Sequence, residues 1–427
     1  MSEKAILVWF RNDLRIHDNE ILFEAARKAD KILPVYCFDP FYFQKNASGN
    51  PKTGELRARF LIESVANLRK NLRAIGGELI VRIGNPAEIL PMVAHEYRVS
   101  EVYHHREVAH EETAISEQVE AALWKIQLNL KHFIGHTLYH KEDLPFPIKD
   151  IPDSFAVFKK KIERDSTVRQ CIDTPAELHT PPVINAGELP TLADLGLNEP
   201  FDDPRSTKRF VGGEDAALEQ LSRHFLNNAQ AATSKNGRNA VRPSVLSPWL
   251  ALGCLSLRQV YWEVIKHQQL GGAIYNNLLL DLLWRDYFRF MFKKHGQKFI
   301  ALKSTSAENE SALNQDELFE AWKNGETGVP MVDAIMHKLN ATGYISNDKR
   351  QIVASFLIDE LKVDWMKGAA YFEEKLIDYS PASNWGNWAF IAGVNDPRES
   401  RYHIVNPVIE QDIKNDFTDT WLPGLLA

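Results

Sequence analysis

The arrangement of apolar runs constrains this chain more than any single motif. From Ala5 to about Gly135, short β-branched runs alternate with stretches of helical period, and 5–10, 32–38, 78–83, 101–104 and 128–134 read as strands. Between the second and third, Leu61, Val65, Leu68, Leu72 and Ile75 recur at steps of four and three, the stripe of an amphipathic helix. Asn85 followed by Pro86 reads as a cap and first helical residue. Strands alternating with helices imply right-handed crossovers and a parallel sheet covered on both faces, so residues 1–135 predict a doubly wound, Rossmann-like α/β domain with five strands.

The pattern then changes twice. Nine of the 21 prolines fall between Pro145 and Pro204, which fixes an extended path and predicts a long linker over 136–210. Beyond 211 the strand signals vanish, and helical periods over 214–227, 248–268, 276–294, 317–324, 329–342, 351–363 and 368–376 predict an all-α domain to residue 427. Eight of the ten tryptophans lie in that half.

Several classes of function are disfavoured. A formal charge of −7 argues against coating nucleic acid by bulk electrostatics and leaves room for a local basic groove. Cys37, Cys171 and Cys254 are few and far apart, which suits a reducing compartment, and no apolar run reaches about 18 residues. A cytoplasmic protein without a membrane span is expected. The α/β half carries neither G-x-G-x-x-G nor a P-loop. In "YHHREVAHEET", at Tyr103–Thr113, the spacing of the three histidines and three glutamates does not suit a metal; the stretch reads as a strand exit and a solvated helix start, with Glu111 and Glu112 near the positive end of the helix.

Three stretches of the helical half are richer. In "NNLLLDLLWRDYFRFMFKK", Asp281, Trp284 or Arg285, Phe288 and Phe292 share a face, and Arg285, Arg289 and Lys293 run beside it at steps of four. That pattern suits phosphate plus stacked rings, and equally an amphipathic core helix with a solvated basic edge. "LIDYSPASNWGNWAF", read as a loop and a new turn, gathers Asp378, Asn384, Trp385, Asn387, Trp388 and Phe390; a pocket lined by indoles explains it better than capping alone. Upstream, Arg350 is suited to pair with Asp378.

Taken with "VWFRNDLRIHDN", "TLYHKEDLPFPIKDIPDSFAVFKKKIE", "SVLSPWLALGCLS", "NGETGVPMVDAIM", "RQIVASFL" and "NDPRESRY", these stretches run the whole chain in order, and the chain resembles the photolyase and cryptochrome family, specifically its cryptochrome DASH branch. The resemblance implies an antenna domain, a linker and a helical domain that binds FAD, with methenyltetrahydrofolate as a candidate antenna chromophore at Glu107, His110 and Glu111. It implies that Ser244, Leu246 and Ser247 hold the flavin diphosphate with Arg285 on the phosphate side. Arg350, Asp378 and Ser380 would lie beside the flavin, with Asn384 facing its N5. Trp388 and Trp365 would be the inner and middle members of an electron-transfer chain. Asp281, Trp284, Asn347 and Phe390 would contact a flipped pyrimidine dimer in DNA, preferentially single-stranded. The implied activity is light-driven dimer splitting by a monomeric lyase, the alternative being a non-catalytic blue-light receptor.

The sequence departs from the family pattern at named positions. Asp281 replaces a longer glutamate, Asp348 stands where relatives carry an arginine, Ala312 replaces the outermost tryptophan, and Ser380 replaces an aspartate. Pro243 and Val245 alter the phosphate-binding turn, and Trp322 is the indole available to substitute at the outer end of the chain.

Overall fold

A computed structural model describes residues 3–46, 49–183, 185–206, 209–233, 244–269, 275–301, 312–394 and 416–422. Pro243 and residues 395–402, which hold "NDPRESRY", lie outside the described residues. The chain forms two compact units: Met1–Tyr42 with Arg59–Leu195 and Val211–Gly296, and Phe43–Ala58 with Gly196–Phe210 and Gln297–Ala427.

The first unit is built on the expected sheet. Its strands are β1 (Ala5–Phe10), β2 (Lys31–Phe38), β3 (Ile80–Ile83), β4 (Glu101–His105) and β5 (Leu130–Phe133), all parallel in the order β3-β2-β1-β4-β5. Every residue of β1 is buried, as a central strand covered on both faces requires. Val65, Leu68 and Leu72 are fully buried in the Glu55–Ala74 helix, and Asn85 caps the Pro86–Glu96 helix by accepting from the Ala87 amide at 2.9 Å.

The charged loop after β1 is a fastening. Asp13 Oδ2 meets His105 Nδ1 at 2.6 Å, the Arg15 guanidinium donates to the Gly253 carbonyl at 2.8 Å, and Glu214 accepts from the Ile16 amide at 2.9 Å. Asp18 accepts from the Ile172 amide at 2.8 Å and from Arg258 Nε at 2.9 Å. These bonds tie the sheet to the linker and to the Glu214–Thr233 and Leu257–Gln269 helices. The compact units run across the expected boundaries at 135 and 210, and the helices up to His295 fall in the unit that holds the sheet.

Three local expectations are corrected. The helix expected over 248–268 is a turn, Ser247–Ala251, and a helix, Leu257–Gln269, interrupted where Gly253 adopts φ +63 and its Cα lies against the Asn12 carbonyl. The helix expected over 351–363 is Asn347–Ser355 followed by the π-helical turn Phe356–Glu360. The expected loop at 376–390 contains a helix, Pro381–Ile391, because packing of its Ala382, Trp388 and Ala389 overrides the poor propensity of Asn and Gly.

The second unit has an aromatic core. Trp322 is fully buried, and its indole N–H donates to the Val353 carbonyl at 3.0 Å. Phe372 and Trp388 pack against it with ring centroids 6.1 and 6.3 Å away. Among the described residues no helix is long and apolar enough to cross a membrane.

Candidate functional site

The second unit contains a cavity open to solvent that brings apolar and polar side chains together. Its apolar wall comes from Phe372, Leu376, Trp388 and Ile391, and its polar groups include Asn347, Arg350, Asp378, Ser380 and Asn384. The Pro381–Ile391 helix places Asn384 and Trp388 one turn apart on one face, while Asn347 and Arg350 sit at the start of the Asn347–Ser355 helix. The structure thus gathers seven of the residues singled out from sequence, Asn387 among them.

Arg350 Nη2 donates to Asp378 Oδ2 at 2.6 Å, and Arg350 Nε donates to the Ile345 carbonyl at 2.9 Å. Asp378 Oδ1 is buried and accepts no hydrogen bond among the described residues. A buried carboxylate oxygen left in that state calls for a donor. Asn384 is buried, and its amide donates to the Ala369 carbonyl at 3.0 Å, which orients the side chain. Ser380 is the N-cap of the Pro381–Ile391 helix and makes no side-chain capping bond. A flat, heteroatom-rich ring fits these residues, since aromatic side chains, a fixed guanidinium–carboxylate pair and an oriented amide line one cavity.

Behind this wall, Trp388 is 2 % exposed and lies edge-on to Phe372 with centroids 5.1 Å apart. Gly368 is required there, because a Cβ at that position would overlap the Trp388 ring. Gly368→Ala is therefore expected to displace the indole and to destabilise the protein by roughly 1–3 kcal/mol, measured by thermal unfolding and near-ultraviolet dichroism. Trp365 is buried in the same core, and its ring contact is with Trp385 at 6.0 Å.

Asn387, singled out with Asn384 from sequence, also lines the cavity, one helical step of three positions further along. One contributor to the site escaped the sequence reading. Arg57 carried no motif at all. It is buried, donates to the Glu373 carbonyl at 2.6 Å and lies over the Tyr379 ring at 4.6 Å, so the Phe43–Ala58 segment braces the wall on which Asp378 stands.

The remaining candidates are placed elsewhere. Phe390 is half-buried on the Pro381–Ile391 helix, outside the cavity lining. Asp281, Trp284 and Arg285 belong to the first unit, on the Asn276–His295 helix, as do Ser244, Leu246 and Ser247 at the Ser247–Ala251 turn. Arg285, expected to face a phosphate, donates to the carbonyls of His136 at 2.7 Å and Leu250 at 2.9 Å. Asp281 is exposed but crowded by surrounding protein, which pushes its carboxyl up to about 6. Glu107 is buried and holds Arg289 Nη2 at 2.6 Å, so its carboxylate is engaged in an ion pair; His110 and Glu111 stand exposed at the start of their helix. Burial opposes ionisation of Glu107, yet His136, Arg289 and Arg11 hold its carboxyl below the ordinary range, and burial and the Glu107 charge push neighbouring Glu112 up.

Comparison with known proteins bears on what such a site holds. Residues 278–427 match the family described as "FAD binding domain of DNA photolyase", and residues 6–181 match that described as "DNA photolyase". The Cryptochrome DASH of Gloeobacter violaceus is 42% identical over 435 residues, an alignment covering 100% of this chain and 87% of the relative. The solved cryptochrome of Synechocystis sp. superposes with a TM-score of 0.90 at 39% identity, covering 100% of this chain and 90% of that one. An archaeal photolyase from Sulfolobus tokodaii, solved with two FAD molecules, gives 0.77 at 27% identity, covering 99% and 91%.

Proposed function

Because the chain belongs to the photolyase and cryptochrome family, in its cryptochrome DASH branch, we propose that it is a blue-light-dependent FAD flavoprotein that splits cyclobutane pyrimidine dimers, preferentially in single-stranded DNA. The observation that carries this reading is the cavity of the second unit, where Arg350, Asp378 and Asn384 face Trp388 and the buried Asp378 Oδ1 has no donor among the described residues. These residues would hold the ring of FAD, and the bound cofactor would supply the light-driven one-electron chemistry that opens the dimer.

The chain supplies position and dryness. Arg350 fixes Asp378, whose second carboxylate oxygen would accept from the bound ring, and Asn384, oriented by the Ala369 carbonyl, would offer it a neutral amide. Trp388 and Trp365 form the proposed route by which electrons reach the ring from the protein. Ser244, Leu246, Ser247 and Arg285 are the proposed diphosphate contacts, and Ser380 completes the polar rim. Asn347, Trp284, Phe390 and Asp281 are the proposed dimer contacts; extrusion of the dimer is easiest from damaged or single-stranded DNA. Methenyltetrahydrofolate as antenna, a monomeric state and a cytoplasmic location complete the proposal. The free cysteines Cys37, Cys171 and Cys254 suit such a compartment.

The test uses purified, pre-reduced holoprotein and a single-stranded oligonucleotide containing one thymine dimer. Under blue or near-ultraviolet light, thymine absorbance is expected to recover with repeated turnover. Failure to recover with FAD bound and reduced would overturn the lyase reading in favour of a receptor, a role that the short Asp281 and the exposed Asp348 carboxylate would favour.

A further inference from the structure

We propose that Phe155, a residue of the linker, is a positioning residue for Trp284, presetting the indole for recognition of a pyrimidine dimer; the inference rests on the assignment of Trp284 as a dimer contact. The two rings are stacked face to face, with centroids 3.5 Å apart and planes 9° from parallel. Tyr287 meets the same indole edge-on at 5.6 Å, and Phe288 is tilted against it at 5.4 Å. The torsion that swings an indole about its Cβ–Cγ bond is broad and shallow, so a half-buried tryptophan takes its orientation from the rings packed on it.

Phe155 is itself fixed by contacts that have no part in binding. It opens the Phe155–Asp165 helix, whose Phe158 and Ile162 are fully buried, and the residues just before it are fastened to the Asn276–His295 helix. Lys294 Nζ donates to the Ile151 carbonyl at 2.6 Å and pairs with the Asp153 carboxylate at 2.7 Å. His295 Nε2 meets the same carboxylate at 2.6 Å, and the Tyr287 hydroxyl donates to the Asp153 carbonyl. The linker therefore does more than connect, since it delivers a rigid ring to one face of the indole. That face is closed to any ligand, so a dimer meets Trp284 by its edge or its opposite face, in an orientation set before DNA arrives.

The experiment measures dark binding of holoprotein to a single-stranded oligonucleotide with one thymine dimer and to its undamaged twin, and reads the ratio of the two affinities. Phe155→Leu keeps an apolar side chain but removes the ring, and is expected to lower that ratio roughly two- to tenfold, the worth of an aromatic pair. Phe155→Tyr, which keeps the ring, is expected to restore it. A purely structural role for Phe155 would lower the melting temperature or both affinities together, leave the ratio unchanged, and overturn the proposal. Trp284→Ala separates the two levels of inference. If it abolishes discrimination while Phe155→Leu leaves the ratio unchanged, Phe155 is not the positioning residue. If it leaves discrimination intact, the assignment of Trp284 itself fails and the proposal falls with it.

Discussion

Arg350→Ala is expected to strip the flavin from the protein and to lower its thermal stability. The guanidinium is the only described partner of Asp378 Oδ2, and the carboxylate is almost wholly buried, with 1% of its side chain exposed. Removing the arginine leaves a buried charge uncompensated, which costs about 3–5 kcal/mol in comparable pairs; with 23% of the Arg350 side chain exposed, the lower end of that range applies. Asp378→Asn provides the contrast. It keeps the shape, leaves the partly exposed arginine able to reach water, and is expected to lose flavin with a smaller loss of stability. Visible absorbance after gel filtration reports flavin retention, and thermal unfolding reports stability. Undiminished flavin in both variants would show that the pair does not define the ring site.

Trp388→Phe is expected to slow light-driven reduction of the bound flavin by on the order of tenfold or more, equivalent to a barrier increase of at least about 1.4 kcal/mol. A phenyl ring keeps an aromatic partner for Phe372 and gives up only the far edge of the indole that lies against Gly368, but it is far harder to oxidise. Flavin content should therefore stay close to that of the parent while the photoreduction rate, followed by absorbance under blue light with an external thiol, falls. Trp365→Phe extends the test to the next proposed member. An unchanged rate in Trp388→Phe would remove the route altogether.

Much of the fold was legible because it is dictated locally. The five strands were evident as apolar runs; the structure leaves the first unchanged and moves the ends of the others by at most two residues. The Asn85 cap and the stripe from Val65 to Leu72 follow from side-chain chemistry within one or two helical turns. The polar half of the cavity was also legible, since Asp378 and Asn384 lie six residues apart and Arg350 is an obvious partner for a buried carboxylate.

What stayed hidden depends on contacts across the sequence. Nothing near Gly253 signals that its backbone lies against the Asn12 carbonyl and accepts from Arg15, 238 positions earlier, yet that contact breaks the expected helix. The Pro381–Ile391 helix is poor in helix formers and is held by what its buried face touches. Phe155 resembled any apolar residue of an amphipathic segment until its stacking partner was visible. Such residues carry no periodicity or motif of their own, because the constraint on them is written in another part of the chain.

The brace formed by Arg57 also has a consequence in time. Its acceptor, the Glu373 carbonyl, lies 316 residues further along the chain. At a synthesis rate of about 5–20 residues per second, roughly 15–60 s pass between the appearance of the guanidinium and that of its partner. During that interval the Phe43–Ala58 segment has left the ribosome while its compact unit is still incomplete. The nascent chain must keep this early segment available until the last third of translation, which makes it a natural place for a chaperone to hold and a point at which ribosome speed bears on the yield of native protein.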